Sequence, residues 1–286
     1  MTIARQHQPA GSTRLVGVNG IRLRMRQVGS GRPLLLLNGI GCSLETWLPV
    51  ENELPGFDLL SFDTPGVGGS PTRRWPLPMP ALGKLAVGLA DIAGWDEFDV
   101  LGLSWGGLLA QQLAYDHPRR VRRLILCATT FGLGTIWMDP LVVALMSTPL
   151  RHTSRRFATS VAPYLYGSDV KRFPEAFEAF LRHRLPPSRQ GYYSQALAAT
   201  AWSSLPWLRR LRPPTLVMAG RSDRIVPPRV ARVMARLIPN ARLHLTDGGH
   251  MFLLLRTAEP ALAIREFLAA PAPDLKRQPA TEDIAS

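Results

Sequence analysis

Two rhythms of apolar and polar positions run through the chain. Thr13–Val18 and Ile21–Gln27 alternate apolar with polar residues around Asn19-Gly20, a dipeptide favoured in two-residue hairpin turns, so this region predicts an antiparallel edge of a sheet. Pro33–Asn38 is instead a continuous apolar run, the mark of a strand covered on both faces. Phe57–Asp63, Asp99–Leu103, Val121–Ala128, Pro214–Ala219 and Arg242–Thr246 repeat that form. Between them lie helix-length segments at Ser43–Leu54, Ala81–Gly94, Gly107–His117, Pro228–Ile238 and Ala258–Ala269. Strand and helix take turns, which predicts an α/β class with a mostly parallel central sheet and helices on both faces.

One interval breaks the alternation. From Phe131 to about Arg212 the chain is rich in Trp, Tyr, Phe, Met and Pro, with apolar residues at helical spacing in several short pieces. A stretch this long is not a structureless loop inside a compact domain. The expected organisation is therefore a core in two parts, residues 1–130 and 213–270, with a helical cap over 131–212 inserted between core strands. The polar, proline-containing stretch 271–286 reads as a loosely ordered tail.

Composition narrows the possible classes. At 286 residues the chain is long enough for a substantial core. No apolar run approaches the roughly 20 residues needed to span a bilayer, and the first ten residues lack the apolar centre of a secretory signal, so a cytoplasmic location is expected. Cys42 and Cys127 are the only cysteines, each beside a strand end, and free thiols are expected. The formal charge of +13 raises the question of nucleic acid, anionic lipid or an acidic partner. The arginines are scattered through helices and loops with no accompanying nucleic-acid motif, so no nucleic-acid partner is expected.

Candidate chemistry begins at Asp99-Val-Leu-Gly-Leu-Ser104-Trp-Gly-Gly, where a strand runs through a tight glycine turn straight into a helix. That is the pattern of a nucleophile elbow, which lifts Ser104 above the sheet near the unpaired N–H groups of a helix start. A serine hydroxyl needs a base to accept its proton and a third group to orient the base. Gly220-Arg-Ser-Asp223 follows one apolar strand and Gly248-Gly249-His250 follows the next, which brings both to the rim where the carboxyl ends of parallel strands gather. Asp247 competes with Asp223 for the acid, but so close in sequence to the histidine it is better placed to cap the Gly-Gly turn. His183 is the weaker alternative base, and Asp63 reads as a loop-ordering residue that binds backbone amides. For the developing oxyanion, the N–H groups of Trp105 and of Ile40, in Asn38-Gly-Ile-Gly41, are the candidate donors.

Taken with Phe62-Asp-Thr-Pro-Gly-Val-Gly-Gly-Ser70, Gly191-Tyr-Tyr193, Trp202-Ser-Ser-Leu-Pro-Trp207 and Asp247-Gly-Gly-His250, these motifs resemble the α/β-hydrolase superfamily, and within it the intracellular medium-chain-length poly(3-hydroxyalkanoate) depolymerases. The resemblance runs from about Arg14 to about Leu268. It implies Ser104 as nucleophile, His250 as base and then acid, and Asp223 as its orienter. It also implies a polyester substrate with aliphatic side chains, a site of action at storage granules, and neither metal nor organic cofactor. The cap residues Trp137, Met138, Met146, Tyr164, Tyr166, Phe173, Phe177, Phe180, Tyr192, Tyr193, Trp202 and Trp207 are candidates for an apolar acyl pocket, in which each buried CH₂ is worth about 0.8 kcal/mol. Asn38, Tyr193 and Trp202 are the candidate substrate contacts. Two other readings stay open: a soluble small-ester or carbon–carbon bond hydrolase with the same triad, and a non-catalytic binding protein of the same fold.

Overall fold

The computed structural model describes residues 11–132 and 139–271. Trp137, Met138 and the expected tail beyond Pro271 lie outside the described residues. In chain order the strands are β1 (Ser12–Val18), β2 (Ile21–Gly29), β3 (Arg32–Leu37), β4 (Phe57–Phe62), β5 (Phe98–Leu103), β6 (Val121–Cys127), β7 (Thr215–Gly220) and β8 (Ala241–Thr246). Helices of the core are α1 (Leu48–Glu51) between β3 and β4, α2 (Met79–Ile92) before β5 and α3 (Trp105–Asp116) after it. Among the described residues six α-helices separate β6 from β7: α4 (Pro140–Met146), α5 (Leu150–Thr153), α6 (Arg155–Tyr166), α7 (Asp169–Arg172), α8 (Pro174–His183) and α9 (Arg189–Thr200). The core resumes with α10 (Pro228–Leu237), α11 (Phe252–Leu255) and α12 (Ala258–Ala269).

The sheet order is β1-β2-β4-β3-β5-β6-β7-β8. β1 and β2 pair antiparallel around Asn19 (φ 49°) and Gly20 (φ 74°), and β2 joins β4 antiparallel, so this edge is the hairpin expected of its alternating pattern. Every other neighbour pair is parallel. Leu34, Leu35 and Leu36 of β3 are fully enclosed, as a continuous apolar run demands of a strand with a layer on each face. Each such side chain contributes roughly 1.5–3 kcal/mol by leaving water.

Ser43–Leu54 departs from the single helix its spacing predicts. A 3₁₀ turn at Leu44–Trp47 leads into the one-turn α1. Pro49 has no N–H to give to the preceding turn, and the Leu44 N–H is drawn to the Asp63 carboxylate at 2.7 Å.

Many arginines act as fasteners. Buried Asp99 pairs with Arg32 (2.7 Å) and Arg122 (2.9 Å), and Arg26 grips Glu51 at 2.9 Å. Arg123 donates to the last carbonyls of α12, including Leu268 at 2.7 Å, where a cation complements the negative helix end. Part of the excess positive charge is thus committed within the fold. Among the described residues, no helix is long and apolar enough to cross a membrane.

Candidate active site

The loops after β3, β5, β7 and β8 all open on the carboxyl rim of the parallel strands. After β5 the chain reverses so sharply that Ser104 sits at φ 53°, ψ −116°, a conformation costing on the order of 1–3 kcal/mol for a residue with a Cβ. The turn is held from both sides: the Ser104 N–H donates to Cys127 O (2.8 Å), and the Thr129 hydroxyl donates to Ser104 O (2.6 Å). Gly106 lets α3 approach β3; a Cβ there would lie 2.0 Å from the Leu37 carbonyl oxygen.

His250 Nε2 stands 3.1 Å from Ser104 Oγ, and His250 Nδ1 stands 2.8 Å from Asp223 Oδ2. Both the imidazole and the carboxylate are buried. The other carboxylate oxygen, Asp223 Oδ1, accepts the N–H groups of Ile225 (2.8 Å) and Val226 (2.9 Å), which fixes the plane of the carboxylate and leaves Oδ2 for the histidine. This chain of contacts can take a proton from the hydroxyl and hold the resulting imidazolium in place. Asp247 lies outside it, exposed and 3.7 Å from Arg221. Nor does Asp247 cap the Gly-Gly turn as the sequence suggests. That role falls to buried Asp169 of α7, whose Oδ2 accepts the Gly249 N–H at 2.8 Å. Gly249 also packs so closely on α6 that a Cβ would lie 1.9 Å from Tyr166 O. His183 is exposed and bonds the Ala179 carbonyl. Asp63 orders its loop as expected, accepting from Leu44 and Gly69 N–H and pairing with Arg24. Burial pushes the Asp63 carboxyl up to about 6 against the pull of those amides and of Arg24.

On the β3 side, Gly39-Ile40-Gly41 faces the elbow, with Ser104 Cβ 3.7 Å from where a Gly39 Cβ would be. Trp105 opens α3, so its N–H has no carbonyl within the helix to meet it. The Gly41 N–H donates to Gln195 Oε1 at 2.7 Å, Gln195 Nε2 donates to Thr64 Oγ1 at 2.9 Å, and the Trp105 indole donates to the Gln195 carbonyl at 2.8 Å. One α9 side chain therefore ties the Ile40 loop to the cap. Gln195→Leu leaves the Gly41 amide and Thr64 without that partner. The expected result is a loss of about 1–3 kcal/mol in urea unfolding and a fall in kcat of about tenfold with little change in KM.

A cavity of about 440 Å³ opens at Ser104. Ile40, Leu103, Met146, Tyr166, Phe180, Ile225, Met251 and Leu254 give it an apolar wall, and Cys42, Arg151 and His152 add polar groups. Of the cap residues expected to line an acyl pocket, Met146, Tyr166 and Phe180 do so. Tyr193 is an exposed surface ring set edge-on to Tyr192, and the Trp202 indole donates to Gln112 Oε1 (2.6 Å), fastening the cap to α3; neither reaches the cavity. Asn38 is buried outside the cavity wall, and among the described residues its side chain has no hydrogen-bond partner. Burial pushes the Cys42 thiol up despite the pull of Arg151 and Arg184, so it remains protonated at neutral pH. Burial, reinforced by the same two arginines, holds the His152 imidazole well below the usual histidine range. Cys42 and Cys127 are both free thiols. Among the described residues, no group of three or more His, Cys, Asp or Glu side chains is placed to hold a metal ion.

The family model described as alpha/beta hydrolase fold matches residues 32–257. The chain belongs to the α/β-hydrolase fold family. This hydrolase is 40% identical over 237 residues to a poly(3-hydroxyalkanoate) depolymerase of Ectopseudomonas oleovorans, covering 82% of this chain and 84% of that protein. It is 30% identical over 275 residues to a 2-hydroxymuconate semialdehyde hydrolase of Pseudomonas putida, covering 87% and 92% of the two chains. Among solved structures, an enol-lactonase from Burkholderia xenovorans LB400 superposes with a TM-score of 0.78 at 26% identity, covering 90% of this hydrolase and all of that chain. Family and relatives together make this an ester hydrolase.

Proposed function

We propose that this ester hydrolase is an intracellular poly(3-hydroxyalkanoate) depolymerase that cleaves the polymer through an acyl-enzyme on Ser104. The likeness to the Ectopseudomonas depolymerase over most of both chains supports that substrate. The observation that carries the chemistry is the unbroken line of contacts from Asp223 through His250 to Ser104 at the mouth of an apolar cavity. His250 Nε2 accepts the hydroxyl proton as Oγ attacks the ester carbonyl, and Asp223 Oδ2 stabilises the imidazolium through Nδ1–H. The N–H groups of Ile40 and Trp105 receive the oxyanion, a donor of this kind being worth roughly 3–4 kcal/mol at the transition state. The imidazolium then gives its proton to the departing alkoxide oxygen, releasing the alcohol end of the cleaved chain. Water, deprotonated by the same Nε2, frees the acid and restores Ser104.

An insoluble polymer places the reaction at a granule surface, and the apolar wall at Met146, Phe180 and Leu254 suits aliphatic side chains. The test is a latex of medium-chain poly(3-hydroxyalkanoate) set beside soluble nitrophenyl esters. Loss of turbidity with release of hydroxy acids is the expected result. Rapid cleavage of the soluble esters over an unchanged latex would assign the enzyme to small esters or carbon–carbon bonds instead.

A further inference from the structure

At the cap end of the cavity the polar groups are poorly matched. Arg151 of α5 is buried, yet among the described residues its guanidinium meets only two phenol oxygens, Tyr166 Oη at 3.3 Å and Tyr192 Oη at 3.4 Å, and lies over the Tyr192 ring. Charge-assisted hydrogen bonds normally close to about 2.7–2.9 Å, so these two are slack. Both partners are hydroxyl dipoles rather than anions. Among the described residues Arg151 Nε has no hydrogen-bond partner, and the ring of the adjoining His152, which is equally buried, meets the Ile40 backbone rather than an acid. Arg184, whose head stacks on Phe180, adds a second positive charge near enough to Arg151 and Tyr166 to interact with both. Among the described residues no carboxylate forms an ion pair with Arg151 or Arg184.

A buried arginine without an anion is costly once water is excluded. A strut joining α5, α6 and α9 would be equally well made from neutral hydrogen-bonding groups. Here the unmatched donors instead line the cavity that holds Ser104. We propose that this end of the cavity is a carboxylate subsite centred on Arg151, and that the hydrolase selects esters carrying a free carboxylate. Resting on the depolymerase reading, the substrate is then the carboxyl end of a polyester chain, or the short oligomer acids derived from it. Such an end holds its carboxylate on the alcohol side, two carbons beyond the ester oxygen. Binding it at Arg151 would set the last ester bond before Ser104 and release one hydroxy acid per cycle. The apolar wall takes the aliphatic branches while Arg151 and His152 read the terminus.

The decisive comparison is the dimer of 3-hydroxyoctanoate as its free acid against the same dimer capped as a methyl ester, at pH 7.5. Wild-type enzyme is expected to favour the acid at least tenfold in kcat/KM, chiefly through KM. In Arg151→Met that ratio falls to about one, and in Arg151→Lys part of it survives. The ratio is internal to each preparation, so lower overall activity or folding yield leaves its meaning intact. A second reading needs no variant: octanoate should inhibit nitrophenyl butyrate hydrolysis by wild type competitively and at least tenfold more strongly than octanamide. Equal use of acid and methyl ester by wild type, or equal inhibition by octanoate and octanamide, overturns the subsite even if the latex is consumed. A preference for the acid over an untouched latex keeps the subsite and removes the polymer.

Discussion

Ser104→Ala lowers kcat for nitrophenyl octanoate by about 10⁴-fold or more and abolishes labelling by a fluorophosphonate. The size of the effect follows from what remains. Without Oγ there is no atom 3.1 Å from His250 Nε2 to surrender a proton and form the acyl bond, so only oxyanion stabilisation and binding persist. Those leave a small residual rate over water rather than turnover. Folding should survive, because alanine keeps the Cβ and the backbone contacts that pin the elbow, the N–H to Cys127 O and the carbonyl to Thr129, involve no Oγ. A positive φ is equally unfavourable to serine and alanine, so no new strain enters. Activity and adduct retained in purified Ser104→Ala would remove the serine mechanism. A wild type that takes no adduct at Ser104 would favour the binding-protein reading.

The loops carrying Ile40, Ser104 and Asp223 were legible in the sequence because each follows a strand with a strong local signature, whereas β8 before His250 is a half-exposed edge strand. β3, β5 and β7 are covered on both faces, and that burial is what makes them read as uninterrupted apolar runs. Once the strands are placed, the candidates Ser104, Asp223 and His250 fall on one rim of the sheet. The cap carries no such rule. Tyr166 lines the cavity while Tyr193 faces solvent, although both sit in helices of similar composition. Which ring turns inward depends on how short helices pack over the core, and helical spacing does not encode that. Asp169 and Gln195 escape notice for a related reason. Their partners lie 80 and 154 residues away, at Gly249 and Gly41, and a lone acid or amide in a helical segment looks like a solvated side chain until the contact is seen. Arg151 is the extreme case, since in the sequence it is one arginine among many and only its burial without an anion sets it apart.

The second large effect is expected at Asp223. Asparagine has nearly the same shape, and the geometry dictates how it must sit. Two N–H donors, from Ile225 and Val226, converge on the position of Oδ1, so the carboxamide turns its oxygen to them and presents its NH₂ to His250 Nδ1. An NH₂ can only donate, which obliges Nδ1 to accept and moves the ring proton to Nε2. The histidine then offers Ser104 a hydrogen where a lone pair is needed. kcat is expected to fall by about 10⁴-fold with the fold intact and KM little changed, and fluorophosphonate labelling should slow in parallel. ¹⁵N shifts of the labelled imidazole would report the exchanged tautomer directly. Asp247→Asn supplies the contrast: among the described residues its exposed carboxylate reaches only Arg221, so kcat should stay within about twofold of wild type. The reverse ranking, a large loss at Asp247 and a small one at Asp223, would mean that the imidazole takes its orientation from the other acid and that the loop carrying His250 rearranges during turnover.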